Sequence, residues 1–184
     1  PGARGRGVVR PRLAGCGTGA TVCSLIHNEE YYERSPRGRA VHLSGIVSSG
    51  LGRAHVFMAQ PHYQNQFKGV LGAGAWPGTL NIDLYGNNLL NYKGLRVLAG
   101  LEEGEGAENA EPIRIQGFER SGRSFGGATA FKAEISRDGD DWISCAILIP
   151  DLTRHTQTAE VISSSFLREA LPCEDGDEIV VRLS

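Results

Sequence analysis

The segment 79–85 alternates polar and apolar residues without a break and directly follows a Pro-Gly turn. Because side chains of a β-strand point alternately to opposite faces, this segment is predicted to be a half-buried strand. Its apolar face carries Leu80, Ile82 and Leu84, and its polar face begins with Thr79 and Asn81. A chain that repeats short strands of this kind between glycine-rich turns is expected to form a compact β-barrel.

The rest of the chain supports this expectation. Six further strands are predicted, at 41–47, 55–58, 112–118, 129–135, 142–149 and 178–183. One helix is predicted at 63–71, where apolar residues recur at helical spacing before Gly72, and a second short helix at 164–171. The stretch 86–109 is interpreted as a loop around a short 95–98 segment. The expected fold is therefore mainly β, with two short helices and no doubly wound alternation of strands and helices.

Charge divides the chain of 184 residues into two regions. Residues 1–40 are rich in glycine and hold seven Arg against three Glu, although the whole chain has a net charge of −2. We expect 1–40 to be a flexible basic segment, with contact to nucleic acid as an alternative, and 41–184 to be the folded domain. No run of apolar residues approaches the ~18–20 needed to cross a bilayer. The four Cys form no CxxC pair, and Cys145 lies in an apolar run, so a reduced, cytoplasmic protein with a buried thiol is expected.

The polar face of the 79–85 strand has the chemistry of a metal site. A threonine hydroxyl and an asparagine amide oxygen are hard, uncharged ligands, which suit a partly hydrated Mg²⁺ that arrives with phosphates. Upstream, the turn 48–53 (Ser-Ser-Gly-Leu-Gly-Arg) offers backbone N–H groups to those phosphates. No GxxxxGK[ST] sequence occurs, which argues against a P-loop ATPase. The alternative is that both strand residues are merely polar positions at the start of a strand.

Several ordered motifs over residues 41–184 resemble the archaeal CTP-dependent riboflavin kinases. The most specific is Pro77-Gly-Thr-Leu-Asn81. The others are Leu43-Ser-Gly-Ile-Val-Ser-Ser-Gly-Leu-Gly52, Tyr63-x-x-Gln66-Phe67, Leu71-Gly72, Ile115-x-Gly117-Phe118, Phe125-Gly126, Ile149-Pro150-x-x-Thr153-x-His155, Glu160-Val-Ile162, Leu167-Arg168 and Asp175-Gly-Asp177. The resemblance implies a six-stranded cradle-loop barrel of the RIFT-related kind. It also implies transfer of the γ-phosphoryl group of CTP to the 5′-hydroxyl of riboflavin, which gives FMN and CDP.

The resemblance also implies roles for individual residues. Thr79 and Asn81 are expected to bind Mg²⁺, and Thr153 and Glu160 to contact the flavin, with His155 beside them. Asp83 shares a strand face with Asn81 and is the candidate general base. The residues expected to bind the nucleotide form two groups: Gly50, Leu51, Gly52, Arg53, Ala54 and His55 at the phosphates, and Ser165, Phe166, Leu167 and Arg168 at the base. The expected partners are riboflavin or FMN and CTP or CDP. Neither a membrane nor a nucleic acid is expected as a partner, and no oligomer is required.

The chain departs from the family pattern at two places. The family typically has Gly-x-Gly-Glu-Gly where this chain has Arg53 and Ala54, and an alanine at positive φ would be strained by about 1 kcal/mol. After Leu71-Gly72 the usual aromatic residue is absent, and Trp76 either stacks near the flavin in its place or only packs. The altered turn leaves open the alternative of a barrel that binds flavin or nucleotide without turnover. A DNA-binding regulator is a further alternative, because barrels related to this family bind DNA.

Overall fold

The computed structural model describes residues 41–50 and 52–184; the predictions for 1–40 and for Leu51 lie outside the described residues. The strands are β1 (His42–Ser48), β2 (Leu80–Leu84), β3 (Ile113–Ile115), β4 (Phe118–Arg120), β5 (Arg123–Phe125), β6 (Ala128–Ser136), β7 (Ile143–Pro150), β8 (Thr158–Ile162) and β9 (Glu178–Leu183). The helices in this part of the chain are α1 (Ala54–Met58), α2 (Pro61–Leu71), α3 (Gly86–Leu98) and α4 (Leu167–Ala170).

Six strands close into an antiparallel barrel in the order β6-β7-β8-β2-β1-β9, and β9 pairs back onto β6. Strand β6 is long enough to pair with two strands along the same edge. Its second half, Ala133 to Ser136, pairs with β9, whereas its first half, Ala128 to Ala130, pairs with β3. Closure of this kind removes the exposed strand edges that an open sheet would present. The predicted mainly β, six-stranded barrel is confirmed.

The interior of the barrel is filled by the alternate residues that point inward from every strand. The strand-borne members are almost all aliphatic and almost fully buried: Leu43, Val47, Leu80, Ile82, Leu84, Phe131, Ile135, Ile147, Ile149, Val161, Ile179 and Val181. The buried thiol of Cys145 belongs to the same cluster, as its apolar run predicts, and burial raises its pKa. The apolar face predicted for 79–85 is therefore the inner face of β2.

Helix α2 packs against the outer face of the barrel and creates a second apolar cluster there. Tyr63, Phe67 and Val70 of this helix are buried together with outward-facing residues of the wall, among them Leu148 and Ile162. The helix ends at Gly72, whose φ of 77° closes the last turn, as the sequence predicts.

Two local predictions are wrong. Residues 55–58 lie in helix α1 rather than in a strand, because four residues are too few for periodicity to distinguish the two. Most of the predicted loop 86–109 is helix α3, so the part of the chain that the structure describes has four helices rather than two. Further, β5 and β8 were not predicted, and the single strand predicted at 112–118 is divided between β3 and β4.

Tertiary contacts explain why α3 is helical in spite of its glycines and asparagines. The Asn88 side chain accepts a hydrogen bond from the backbone N–H of Ser44 at 3.0 Å, and the Asn91 side chain donates one to the carbonyl of His42 at 3.1 Å. Tyr92 and Leu95 are buried in the barrel core. Packing of this kind stabilises a helix whose local propensity is poor. Among the described residues, no helix combines the length and apolarity that crossing a membrane requires.

Candidate active site

A cleft of about 790 Å³ opens on the outer face of the barrel wall, in the size range of small-molecule sites. It lies between the turn that follows β1, helices α1 and α2, the start of β2 and the loop after β7. Most of the residues predicted for the site line it: Gly50, Gly52, Arg53, Ala54, His55, Thr79, Asn81, Thr153, Glu160 and Arg168. His155 lines it as well.

Strand register places four residues of the cleft, three polar and one apolar, in one row across the barrel wall. Ser48 of β1 is opposite Asn81 of β2, Asn81 is opposite Glu160 of β8, and Glu160 is opposite Leu148 of β7. All four line the cleft from the outer face, because their neighbours along each strand point into the barrel core. Glu160 therefore stands between a polar half of the cleft and an apolar half.

The polar half contains the predicted metal ligands. The Thr79 hydroxyl donates a hydrogen bond to Asn81 Oδ1, and the two oxygens are 3.2 Å apart. Two ligands at adjacent corners of a Mg²⁺ octahedron with ~2.1 Å bonds are about 3.0 Å apart, so the separation of these two oxygens is compatible with such a pair. The described residues include no group of three or more His, Cys, Asp or Glu side chains suited to a metal. A metal here would depend on these neutral oxygens and on the phosphates of its nucleotide.

Gly50 leaves room for the Asn81 amide because it has no side chain. A Cβ at Gly50 would lie 2.6 Å from Asn81 Nδ2, closer than two such atoms can approach. The amide nitrogen therefore faces the turn, and the amide oxygen faces Thr79. The glycine is needed for this contact rather than for an unusual φ.

The strain expected at Ala54 is absent. Gly52 takes the left-handed conformation with φ of 66°, whereas Arg53 has φ of −88° and Ala54 begins helix α1. His55 Nδ1 lies 2.8 Å from the Gly52 carbonyl oxygen and links the helix back to the turn. The departure from the family pattern at these positions therefore introduces no backbone strain.

Three arginines of the described part of the chain line the cleft. Arg168 contacts the carbonyl oxygen of Ser48 at 3.2 Å and the Asp175 carboxylate at 2.6 Å, which fixes its side chain beside the turn. Hydrogen bonds from Ser49 and Arg168 lower the pKa of Asp175. Arg53 and Arg154 are exposed at the rim, and Arg154 was not predicted from the sequence. A cleft with this excess of cations attracts anionic ligands such as phosphates.

Glu160 is the single carboxylate among the described residues that line the cleft. Burial raises the pKa of Glu160, and the positive charge of His155 opposes part of that effect. A partly buried carboxylate that faces a cleft is a common functional feature. Nearby, the hydroxyl oxygen of Thr153 accepts a hydrogen bond from the backbone N–H of His155 at 3.2 Å, which orders the loop after β7.

The apolar half was not predicted as part of the site. It is lined by α1 and α2 and by the ends of β3 and β7, through Phe57, Met58, Tyr63, Phe67, Ile115, Leu148 and Leu152. The Tyr63 hydroxyl donates a hydrogen bond to the Gly126 carbonyl oxygen at 2.6 Å, so its ring is held in place. The sequence signal was the helical spacing of Tyr63 and Phe67, which indicates a buried face but not a ligand.

A buried arginine of α3 holds the loop after β7 that lines the cleft. Arg96 of α3 is 4% exposed; its Nε donates to Glu102 at 2.5 Å and its Nη1 to the His155 carbonyl oxygen at 2.9 Å. These contacts join the cleft loop to the helix that packs on the barrel core. No sequence signal could have identified the contact with the cleft loop, because Arg96 and His155 are 59 positions apart in the chain.

Of the predicted residues that the structure describes, four do not line the cleft. Asp83 lies on the outer face of β2, where its carboxylate accepts a hydrogen bond from the Thr158 hydroxyl at 2.7 Å. Its assignment as general base stays a prediction. The other three, Ser165, Phe166 and Leu167, line a small recess that shares Gly78, Thr79 and Arg168 with the cleft.

Comparison with known proteins shows which family the chain resembles. Residues 47–183 match the family model of the CTP-dependent riboflavin kinases, which carries the description "domain of unknown function DUF120". A riboflavin kinase of Halobacterium salinarum is 34% identical over 164 residues, which are 87% of this chain and 64% of that protein. One from Methanocorpusculum labreanum is 36% identical over 140 residues (76% and 55%), and one from Sulfurisphaera tokodaii is 32% identical over 148 residues (80% and 98%).

The chain thus spans just over half to just under two thirds of the length of the first two relatives, and nearly all of the third. The family match begins near the end of β1 and covers the other five barrel strands and every cleft-lining residue named above. The chain belongs to the family of the CTP-dependent riboflavin kinases.

Proposed function

We propose that the protein is a riboflavin kinase, which transfers the γ-phosphoryl group of CTP to the 5′-hydroxyl of riboflavin and releases FMN and CDP. The observation that carries this proposal is the row Ser48–Asn81–Glu160–Leu148. It joins a half of the cleft suited to a metal and phosphates to a half suited to a planar apolar ring. Family membership supports the same reaction.

In this proposal the donor nucleotide occupies the polar half. Thr79 and Asn81 would hold a Mg²⁺ that neutralises charge on the phosphate oxygens. Arg53 and Arg168 add positive charge on the side of the turn, and the base points toward 165–168. The preference for CTP rests on the family resemblance.

The acceptor occupies the apolar half, where the isoalloxazine ring contacts Tyr63, Phe67 and Leu148. Its ribityl chain extends along the row toward Asn81, which brings the terminal hydroxyl to the phosphates. Glu160, at the junction, accepts a hydrogen bond from this chain, and Thr153 contacts the flavin from the loop after β7.

Transfer forms a bond between the 5′-oxygen and the γ-phosphorus and breaks the bond from that phosphorus to the β–γ bridging oxygen. CDP leaves with the electron pair. Because the transition state of such transfers is loose, the protein contributes mainly alignment and charge stabilisation, and the hydroxyl proton leaves late. A strong general base is therefore not required, and the roles of Glu160 and Asp83 in removing the proton are separable by mutation.

Chromatographic separation of flavins tests the proposal directly. The purified protein is incubated with riboflavin and Mg²⁺ and with either CTP or ATP. We expect FMN with CTP and little with ATP, and no FMN when Mg²⁺ is removed by a chelator. FMN with ATP alone would retain the kinase but contradict the assignment of the donor. No FMN with either donor, from protein that still binds riboflavin, would favour a non-catalytic barrel.

A further inference from the structure

Two aromatic side chains lie stacked and exposed beside the polar half of the cleft. The rings of Trp76 and Phe166 are 5.2 Å apart between centroids and inclined by 29°. Trp76 is 47% exposed and Phe166 37% exposed, although both are large apolar groups. Single exposed aromatics are common, but a stacked pair at the edge of a cleft is typical of a surface that contacts a ligand.

Backbone contacts hold this pair in a fixed position. The N–H of Trp76 donates to the Ser163 carbonyl oxygen at 2.8 Å, and the N–H of Gly78 donates to the Trp76 carbonyl oxygen at 2.8 Å. Ser163 is buried, and its hydroxyl donates to the Ser144 carbonyl oxygen at 2.9 Å. The aromatic pair is therefore attached to the barrel wall and needs no rearrangement to receive a ring.

The pair forms one side of a recess of about 40 Å³ that adjoins the cleft. Gly78, Thr79 and Arg168 line both spaces, so the recess begins at the predicted metal ligand. Trp76 does not line the apolar half of the cleft, which argues against stacking of Trp76 on the flavin. A nucleotide whose phosphates lie at Thr79 has its base within reach of this recess.

We propose that Trp76 and Phe166 form the stacking wall for the pyrimidine base of the phosphoryl donor, an inference that rests on the proposed kinase function. Every base has a π face that stacks on an aromatic side chain, and a recess this small admits the edge of one six-membered ring. Trp76 is then a determinant of donor affinity, and the small volume of the recess, rather than the stacking itself, favours a single-ring base over a purine.

The two tryptophans of the chain provide a matched pair of reporters. Trp142 is the control: its Nε1 donates to the Gly139 carbonyl oxygen, and Arg182 lies over its ring at 3.8 Å, both away from the cleft. In Trp142→Phe, Trp76 alone emits; in Trp76→Phe, Trp142 alone emits. Each protein is titrated, without riboflavin, with CTP, CDP, ATP and inorganic tripolyphosphate.

We expect CTP and CDP to quench Trp76 saturably, ATP to require higher concentrations, and tripolyphosphate to have no effect. Trp142 should respond to none of them. An equal response of Trp76 to tripolyphosphate would overturn the inference, as would no response to CTP at concentrations that saturate FMN formation. In the second case FMN still forms, so the proposed kinase function is retained and only the stacking wall is contradicted. Quenching by CTP without any FMN formation would instead support the stacking wall and contradict the kinase function.

Kinetics provides a second readout. Trp76→Ala should raise KM for CTP by about tenfold and leave KM for riboflavin unchanged, whereas Trp76→Phe should retain most of the affinity. A rise in KM for riboflavin instead would assign Trp76 to the flavin and overturn the inference. Circular dichroism of the three variants shows that each remains folded.

Discussion

The two faces of the barrel wall differ in the residues they carry and in what a mutation there is expected to affect. The inner face of β2 consists of Leu80, Ile82 and Leu84, each at most 3% exposed, and the outer face of the same strand carries Asn81 and Asp83. A slip of one residue in register would exchange the two sets, so the apolar face that closes the barrel also fixes where the polar row lies. Mutations of adjacent residues are therefore expected to affect activity or stability almost separately.

The largest effect is expected from the outer face. Thr79→Ala combined with Asn81→Ala should lower kcat/KM by about 10³-fold, because it removes both candidate metal oxygens from the site of charge development. The free energy of unfolding should change little. Ser44→Ala, on the outer side of β1 but outside the cleft, is the control. Activity that persists in the double variant would contradict the assignment of the metal site.

The inner face should show the reverse behaviour. Ile82→Ala, between Asn81 and Asp83 in sequence, should lower the free energy of unfolding by about 2–5 kcal/mol, because it leaves a cavity in the core. Urea denaturation measures this loss, and activity per folded molecule at low temperature should stay near that of the parent. Loss of activity without loss of stability would show that the two faces are coupled.

Glu160→Gln is expected to raise the stability of the protein at neutral pH while it lowers the activity. Because burial raises the pKa of Glu160 in the folded state, the folded protein holds this proton more tightly than the unfolded chain does. The contribution of Glu160 to the free energy of unfolding is therefore fully present when the pH is below its pKa in the unfolded chain. It is lost as the pH rises through its pKa in the folded protein.

The neutral variant should accordingly be more stable than the parent at neutral and alkaline pH, and the difference should vanish in acid. Activity should fall by about 10- to 100-fold, because a charged hydrogen bond to the acceptor is lost. Melting temperatures across a pH series, with the exposed Glu178→Gln as control, measure the first effect. A variant destabilised at neutral pH yet fully active would reverse both expectations.

Gly50→Ala should transmit a change in the turn to the metal ligand. The new Cβ must displace the Asn81 amide, so the Mg²⁺ concentration for half-maximal activity should rise by about tenfold. Gly52→Ala is the matched control: it strains a left-handed φ by about 1 kcal/mol but meets no atom within 4 Å. If both variants shift the Mg²⁺ requirement equally, the strain of the turn rather than contact with Asn81 is responsible.

The smallest effect is expected from Asp83→Asn. The asparagine oxygen can still accept the hydrogen bond from Thr158, so kcat should fall by less than about tenfold. A fall of about 100-fold or more would instead identify Asp83 as the general base. The pH dependence of kcat for this variant and for Glu160→Gln distinguishes which carboxylate titrates during turnover.

The sequence predicted the features that depend on neighbouring residues. Alternation in 79–85 predicted both faces of β2, and Gly72 predicted the end of α2. Helix α3 was missed because its asparagines bond to β1 through side chains, which local propensity does not register. Likewise, Trp76 could not be assigned until its contact with Phe166, 90 positions further along the chain, was known.

The contact of Arg96 with the loop after β7 has a consequence for the energetics of binding. A cleft loop without internal support must be ordered when a ligand arrives, and the lost conformational entropy weakens affinity. Here the carbonyl group of His155 is held by a guanidinium buried beside the barrel core, so the cost of ordering was met when the protein folded. The amide hydrogens of Thr153 and His155, which donate to the Pro150 carbonyl oxygen and the Thr153 hydroxyl, should therefore exchange slowly even without ligand.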